Sequence, residues 1–388
     1  MLDRRHNLMR AAACLAVACF LAPAARAAAP PPLSNPAFGF PLPGDQPAAA
    51  NAASAGLSLA DRWLGDSPYN NPAAKPFKGV EASPLFQRVN RQDLASTNRS
   101  TIQNRGYPDV AGGSIGFALR QWGVSLYAWQ PVLRLEQLSY SAGPISTPAQ
   151  IDQEALQREL RGGVAISRGF GTNLRLGVAG EFVSRNDSYT TIEQSGSPFA
   201  GTRVLEYSGT GIGASAGFTF EQAADQIGGS SFGAAVHWNA DLDLTGTLDE
   251  QLVAGNTKTD VAVTRTSEIS GGFSGRVLVA PATRIVVGIS GRSGAEWSEF
   301  GFKSDPGLSY GIGLDWKDAE LPWGARFGVG QESNPGALEE KSGLLSAGFT
   351  WVSGDLVLDV GLMHRNLARD GFSHSADDRA VASVRFSF

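Results

Sequence analysis

The stretch Arg379-Ala-Val-Ala-Ser-Val-Arg-Phe-Ser-Phe388 closes the sequence and alternates in polarity along its length. Because the side chains of a β-strand point to its two faces in turn, Phe386 and Phe388 lie on one face, and Arg385 and Ser387 lie on the other. An uncovered aromatic strand at the edge of a soluble sheet invites aggregation. In a closed membrane barrel the same strand pairs on both edges and turns its apolar face to lipid. The stretch therefore predicts the last strand of a transmembrane β-barrel.

The rest of the chain has the spacing of such a barrel. Strand-like stretches are separated by breaks that alternate between tight turns and longer loops, which is the outer-membrane pattern; a soluble β-sandwich gives no reason for this alternation. About fourteen strands are predicted, near 79–90, 112–120, 122–138, 155–168, 172–186, 203–220, 231–246, 262–279, 282–298, 308–318, 322–331, 343–353, 355–366 and 379–388. The longer loops are predicted at 91–111, 139–154, 187–202, 247–261, 299–307, 332–342 and 367–378. The predicted fold class is all-β, a transmembrane antiparallel β-barrel spanning 79–388.

The alternation within a strand predicts which face meets lipid. In the seventh predicted strand, apolar side chains occupy even-numbered positions as far as Leu242 and Leu244, while His237, Asp241 and Asp243 share the other face. A charge on the lipid face costs about 2–4 kcal/mol near the bilayer midplane. We therefore expect the two leucines to face lipid and the charged residues to face the lumen.

The first residues have the composition of a secretory signal peptide. A positively charged start is followed by the apolar run 11–21 and by the small-residue cleavage site Ala25-Arg26-Ala27. We expect residues 1–27 to be removed. Both cysteines of the chain, Cys14 and Cys19, lie in this segment. The mature protein is thus expected to have no disulfide, no cysteine nucleophile and no cysteine-ligated metal.

Composition narrows the function. After the signal peptide no run approaches the roughly 20 apolar residues that a transmembrane helix needs. The formal net charge of -5 and the absence of a basic run make nucleic acid an improbable partner. No metal-ligand cluster or nucleotide-binding motif is recognisable, so we expect no cofactor. Residues 28–78, which are rich in proline, alanine and turn residues, do not have the pattern of barrel strands.

The third predicted strand changes face in its middle. Its outward apolar positions are even-numbered over 122–128 and become odd-numbered after Gln130 and Pro131. Proline cannot donate a hydrogen bond to the ladder, so it is confined to edges, bulges and interruptions. A bulge or kink is expected here, with Tyr127 and Trp129 facing the lumen just before it. The irregularity either only shapes the barrel or serves a function.

Several segments resemble the outer-membrane long-chain fatty acid transporter family (FadL type), whose members also take up aromatic hydrocarbons. An alanine-rich segment followed by an Asn-Pro-Ala motif, here Asn71, Pro72 and Ala73, resembles that family's N-terminal plug. A late strand that ends in a Trp-Ser pair also resembles the family. The matching stretches are 51–61, 69–74, 281–290 and 296–300.

The resemblance implies a function for the irregular features. Residues 28–78 would form an N-terminal plug in the barrel of 79–388, and the protein would sit in the cell outer membrane of a Gram-negative bacterium. It would take up hydrophobic small molecules, long-chain fatty acids or aromatic hydrocarbons. A lateral opening at Gln130 and Pro131 would release the ligand, with Tyr127 and Trp129 lining the path. The expected partners are the ligand, membrane lipid and the barrel-assembly machinery.

The C-terminal aromatic residues add an expectation about assembly. A C-terminal phenylalanine on a closing strand resembles the assembly signal of bacterial outer-membrane proteins. Phe386 and Phe388 are therefore the expected signal for the barrel-assembly machinery.

Two other functions are compatible with the pattern. A general diffusion porin would use the inward-facing charges to line a polar pore, although a plug counts against an open pore. An outer-membrane lipid hydrolase would need a catalytic base, for which His237 near Asp241 and Asp243 is the candidate. No serine lies in a nucleophile-elbow sequence. The sequence therefore favours a transport protein without enzymatic activity.

Overall fold

The computed structural model describes residues 68–73, 79–95, 101–104, 108–142, 149–194, 200–222, 226–298, 302–303, 305–318, 320–333, 339–369 and 372–388. The predicted signal peptide and most of the segment 28–78 lie outside these residues. Nineteen strands occur in the described ranges. They are β1 Val80–Ala95, β2 Thr101–Asn104, β3 Pro108–Leu119, β4 Trp122–Ala142, β5 Ala149–Phe170, β6 Leu174–Gln194, β7 Gly201–Gln222, β8 Ser230–Asn239, β9 Leu242–Leu252, β10 Gly255–Arg265, β11 Glu268–Ala280, β12 Thr283–Arg292, β13 Glu296–Trp297, β14 Phe302–Lys303, β15 Gly307–Lys317, β16 Trp323–Ser333, β17 Glu339–Ser353, β18 Leu356–Arg369 and β19 Phe372–Ser387.

The strands close into a barrel. Neighbouring strands pair antiparallel around the sheet, and β1 completes the circle by pairing with β19. Five pairs of strands are consecutive pieces of one wall strand, namely β2 with β3, β8 with β9, β10 with β11, β12 with β13, and β14 with β15. Over the described residues the wall is therefore a closed antiparallel barrel of fourteen strands, which confirms the predicted fold.

The two faces of the wall differ in polarity as the alternation predicts. On β19 the Phe386 side chain is 41% exposed, whereas its neighbour Arg385 is only 2% exposed. The exposed face carries a band of large apolar side chains, among them Leu126, Val164, Ile166, Val178, Phe182, Val236, Phe273, Val287, Leu314, Phe327 and Leu362. An apolar outer band with charges turned inward is stable only in lipid, and the protein is thus an outer-membrane type of transmembrane barrel. Among the described residues, no helix is long and apolar enough to span a membrane.

Several predicted loops are wrong, because strands continue through them. The strand β4 continues to Ala142, and β5 already begins at Ala149. Only Val253 and Ala254 connect β9 to β10. In β5, β9 and β10 the outward-facing residues of these extensions are polar, so the alternation of hydrophobicity that identifies a membrane strand is absent there. Their pairing continues because backbone hydrogen bonds do not depend on contact with lipid.

The predicted orientation of the seventh wall strand is wrong beyond residue 239. It is interrupted between β8 and β9, where four of its residues, 240–243, lie opposite three residues of β7. One extra residue reverses every following side chain. Leu242 and Leu244 consequently face the lumen and are buried, while Asp241 and Asp243 are exposed on the outside.

Candidate functional site

Residues 68–73, called here the inner segment, lie against the lumenal face of the wall. The side chain of Asn71 is buried and its Nδ2 donates a hydrogen bond to the carbonyl oxygen of Phe218 in β7, at 3.0 Å. Its Oδ1 accepts a hydrogen bond from the backbone N–H of Ala73, also at 3.0 Å. One amide therefore shapes the turn of the inner segment and attaches it to the wall. A buried non-strand segment needs such partners for its polar groups.

Two glycines make room for this segment. A Cβ atom at Gly177 would overlap the carbonyl group of Pro72, and a Cβ at Gly217 would overlap Oδ1 of Asn71. The backbone of the wall strands β6 and β7 is thus approached directly by the Asn-Pro-Ala motif. Glycine in a strand often marks a close approach of another backbone.

His237 is separated from the two carboxylates that the sequence places beside it. Its Nε2 lies 3.1 Å from the carbonyl oxygen of Asn70 and contributes to holding the inner segment. The predicted neighbours Asp241 and Asp243 lie on the outer face, where they accept hydrogen bonds from the Ser267 backbone and the Thr264 hydroxyl. The break between β8 and β9 separates the groups that the sequence placed on one face. The prediction that His237, Asp241 and Asp243 share one face, on which the hydrolase alternative depended, is therefore wrong.

An aromatic group lies beside the inner segment at the third wall strand. Tyr127 and Trp129 of β4 face the lumen and are buried together with Ala165 and Ala179; these four residues are called here the aromatic cradle. The ring of Tyr69, from the inner segment, occupies the cradle. Its centroid lies 5.2 Å from that of Tyr127 in an edge-to-face arrangement and 5.9 Å from the Trp129 ring.

Charged groups surround the cradle and are paired with one another. The Tyr127 hydroxyl donates a hydrogen bond of 2.8 Å to Glu181 in β6. The guanidinium of Arg161 lies 3.5 Å from Glu181 and 5.6 Å from the centre of the Trp129 ring. Arg161 also donates to Oδ1 of Asn239 at 2.8 Å. These contacts fix both aromatic side chains of β4 in their orientation.

Glu159 is the centre of a second buried group of charges. Its carboxylate lies 2.7 Å from Arg161, 3.3 Å from Arg185 and 3.1 Å from Arg265. Arg185 in addition pairs with Asp187 at 2.8 Å. The contact from β5 to Arg265 of β10 crosses the lumen between non-adjacent wall strands. The group therefore links wall strands β5 and β10 across the lumen.

A bulge lies in β4 at the position where the change of face predicts one. Gln130 and Pro131 together lie opposite Leu160 of β5, so the register of this ladder shifts between Trp129 and Val132. Two residues opposite one is the arrangement of a β-bulge, which bends the strand and increases its twist.

Over the residues that the structure describes, the other edge of β4 is interrupted at the same height. The strand pairs with β3 as far as Trp129 and with β2 from Glu136 onward. Residues 131–135 have no ladder partner among the described residues of β2 and β3, and the first residues of β3, 108–110, pair with β1. This interruption, called here the β4 break, begins next to the aromatic cradle.

A belt of alternating charges lines the opposite side of the lumen. Its six members are buried and come from six different wall strands, including the first and the last. The ion pairs are Arg276–Asp315 at 3.4 Å, Arg326–Asp315 at 3.6 Å, Arg326–Asp359 at 3.7 Å, Arg385–Asp359 at 3.8 Å and Arg385–Glu81 at 3.6 Å. Each interior charge of this belt is balanced by its neighbours, which buried charges require.

Glu159, Glu181 and Arg161 belong to no motif that is recognisable in the sequence. Their odd-numbered positions in β5 and β6 identify them only as lumenal residues. Glu159 and Arg265 are separated by 106 residues in the chain. Such residues come together only because the barrel wall curves, so no regular spacing in the sequence predicts their contact.

Comparison with known proteins identifies the fold. No protein-family model and no curated protein matches the chain. The toluene transporter TbuX of Ralstonia pickettii matches with 16% identity over 89% of this chain and 99% of its own, with a TM-score of 0.65. A FadL homologue of Pseudomonas aeruginosa matches with 12% identity over 90% and 100%, with a TM-score of 0.65. The toluene transporter TodX of Pseudomonas putida matches with 13% identity over 88% and 98%, with a TM-score of 0.62. The chain therefore has the FadL-type fold, as the resemblance implied.

Proposed function

We propose that this protein is an outer-membrane uptake channel for hydrophobic small molecules, either long-chain fatty acids or aromatic hydrocarbons, and that it has no enzymatic activity. The likeness in fold to a FadL homologue and to two toluene transporters supports this class. The polar surface of the outer membrane resists a hydrophobic solute, whereas the hydrocarbon region accepts it. A barrel that binds such a solute from outside and releases it sideways bypasses that surface.

The observation that carries the proposal is the β4 break beside a buried aromatic group. Tyr127 and Trp129 face the lumen immediately before the bulge at Gln130 and Pro131. Pro131 has no N–H group and cannot contribute a donor to the ladder. We assign the lateral opening to Gln130 and Pro131, and the lining of its inner mouth to Tyr127 and Trp129.

The inner segment supports a plug within the barrel. Residues 28–78 are proposed to occupy the lumen, with Asn71, Pro72 and Ala73 attaching them to the wall. The hydrogen bond from Asn71 to β7 and the two glycines that admit the motif support this role. A plug would prevent free passage of water and ions while the lateral route carries apolar ligands.

The outer face supports two further partners. The band of exposed apolar residues is proposed to contact membrane lipid, as transmembrane barrels do. Phe386 and Phe388, which point outward at the end of β19, are proposed to be read by the barrel-assembly machinery during insertion.

Uptake by cells tests the proposal. Cells that contain the protein in their outer membrane should accumulate radiolabelled oleate or toluene faster than cells that lack it. Pro131→Val adds an N–H group and a strand-forming side chain, so it should close the β4 break and slow uptake. Pro84→Val is the matched control, because Pro84 lies in β1 opposite Gly113 of β3 and outside the β4 break. Equal uptake with and without the protein would reject the proposal, and normal uptake by Pro131→Val would reject the lateral opening.

A general diffusion porin is the second candidate, favoured by the charge belt. Buried arginine and aspartate side chains on several strands give the lumen a polar wall. Conductance across a planar bilayer separates the two functions. A porin would conduct ions steadily, whereas the plugged barrel should conduct little until residues 28–78 are removed.

A further inference from the structure

We propose that Arg168, on the outer face of β5, binds the phosphate group of a glycerophospholipid in the periplasmic leaflet of the outer membrane. The rings of Trp122 and Phe170 hold its guanidinium in position for this contact. These three residues are called here the outer arginine site. The proposal concerns the lipid-facing surface of the barrel and does not depend on what the lumen carries.

Two aromatic side chains flank the guanidinium of Arg168. Its central carbon lies 5.1 Å from the centre of the Trp122 ring, and its distance from the centre of the Phe170 ring is also 5.1 Å. Both distances are within the range of about 6 Å in which a cation is attracted to the face of an aromatic ring. A long side chain that is already ordered loses less conformational entropy when it binds a partner. The two rings therefore prepare Arg168 for a ligand.

The wall supplies no partner for the charge and the N–H groups of Arg168. Within the part of the chain that the structure describes, its contacts are those with the two rings, and it forms no ion pair or hydrogen bond. Its neighbours on the adjoining strands are the apolar Trp122 and Leu176. On β5 the nearest outward residues are Ile166 and Phe170. A donor without an acceptor is costly in lipid, so the partner must come from outside the protein.

The outer arginine site lies at the periplasmic boundary of the membrane. Trp122 is the first residue of β4, and Arg168 lies close to the end of β5. The connections at this end are short, with residues 120–121 before β4 and 171–173 after β5. Short turns are on the periplasmic side of such barrels, and tryptophan rings at the boundary lie at the level of the lipid headgroups. The glycerophospholipids of this leaflet carry a phosphate at that level.

Phosphate is the part of a lipid headgroup that matches the site. The planar guanidinium of arginine can donate two parallel hydrogen bonds to a phosphate, and both groups carry the charge that the other needs. Because the outward neighbours of Arg168 are apolar, they do not repel an anion. The same apolar side chains can contact the acyl chains of the bound lipid. A diacylglycerol offers such chains but lacks the charge.

A second arginine on the same face of β5 provides the comparison. Arg158 is also exposed, but it lies toward the opposite end of the strand, beside the polar Asn186 of β6. In the described ranges its guanidinium contacts no aromatic ring. Arg158 thus has the residue type, strand and face of Arg168 without the two rings and without the periplasmic position.

Native mass spectrometry of the purified full-length protein in detergent micelles tests the proposal. The probes are phosphatidylglycerol and a diacylglycerol with the same acyl chains, and each variant is used once its heat-modifiable mobility shows a formed barrel. Wild type should retain one phosphatidylglycerol more firmly than any further copy, and should retain no diacylglycerol. Arg168→Gln should bind this first lipid about tenfold more weakly, since a charge-assisted bidentate contact is lost. Arg158→Gln should match wild type.

A ring variant tests the role of the aromatic side chains. Trp122→Leu/Phe170→Leu keeps the cation but frees the guanidinium, so the affinity for phosphatidylglycerol should fall about threefold. Wild-type binding in Arg168→Gln or in the ring variant overturns the proposal, and so do equal losses in Arg168→Gln and Arg158→Gln.

The same spectra distinguish two other occupants of this face. Retention of diacylglycerol as firmly as phosphatidylglycerol would show that acyl chains alone bind here. A change from dimer to monomer in Arg168→Gln would assign the face to a second copy of the chain. Either result overturns the proposal. Uptake of oleate or toluene by cells reports separately on the channel function.

Discussion

Phe388 and Val80 exchange two backbone hydrogen bonds across the seam of the barrel. The N–H of Val80 donates to the Phe388 carbonyl at 3.2 Å, and the N–H of Phe388 donates to the Val80 carbonyl at 2.8 Å. The Phe388 side chain points outward and is 81% exposed. The residue thus completes the ladder with its backbone while its ring is exposed on the outer face.

Phe388→Asp should lower the amount of assembled barrel in the outer membrane. The change leaves the backbone pairing possible but places a charge on the lipid-facing end of β19, where an apolar residue is expected. Phe388→Leu is the control and should assemble close to wild-type levels. The measurement is heat-modifiable mobility of outer-membrane fractions on gels. Normal assembly of Phe388→Asp would contradict an assembly role for this side chain.

Deletion of residues 28–78 should raise ion conductance strongly in planar bilayers. The prediction follows from the burial of the inner segment against the lumenal wall. The deletion variant must retain heat-modifiable mobility, which shows that the barrel itself has formed. If its conductance equals that of the full-length protein, the segment does not fill the lumen.

Gly177→Ala should loosen the inner segment without altering the wall. The atoms that a Cβ at Gly177 would overlap belong to Pro72 and Ala73 of the inner segment. The matched control is Gly180→Ala in the same strand, where a Cβ meets no atom within 4 Å. We expect intermittent conductance increases in Gly177→Ala and wild-type conductance in Gly180→Ala. Identical traces would show that the contact with Gly177 does not hold the segment.

Glu159→Gln should lower the free energy of unfolding by about 3 kcal/mol, because three buried arginines lose their shared counter-charge. Glu250→Gln is the comparison. The Glu250 carboxylate lies 3.3 Å from the guanidinium of Arg203, and both side chains are 28% exposed. The free energy of unfolding should therefore fall by less than about 1 kcal/mol in this variant. Denaturant unfolding of the folded barrel, followed by tryptophan fluorescence, measures both. Similar losses in the two variants would mean that the Glu159 group does not contribute as a buried network.

The bulge in β4 could be predicted because two local signals coincide. Pro131 cannot donate to a ladder, and the apolar positions change parity at the same place. The break between β8 and β9 has no such signal. Apolar residues continue in even-numbered positions through Leu242 and Leu244, although these two leucines face the lumen. The orientation of Trp297 is equally hard to predict from the sequence. Trp297 lies near a strand end, where interfacial aromatic residues are common, yet its side chain is fully buried inside the barrel.

The sequence by itself determined the barrel, its fourteen strands and the faces of most of them. Lipid requires an apolar outer face and complete backbone pairing, and both requirements leave a period-two pattern in the chain. Only the tertiary structure decided which lumenal residues meet. Tyr69 reaches Tyr127, and Glu159 reaches Arg265, because the closed wall brings distant strands to the same height. A period-two pattern specifies the face on which a side chain lies, whereas its partner across the lumen depends on the curvature and register of the whole barrel.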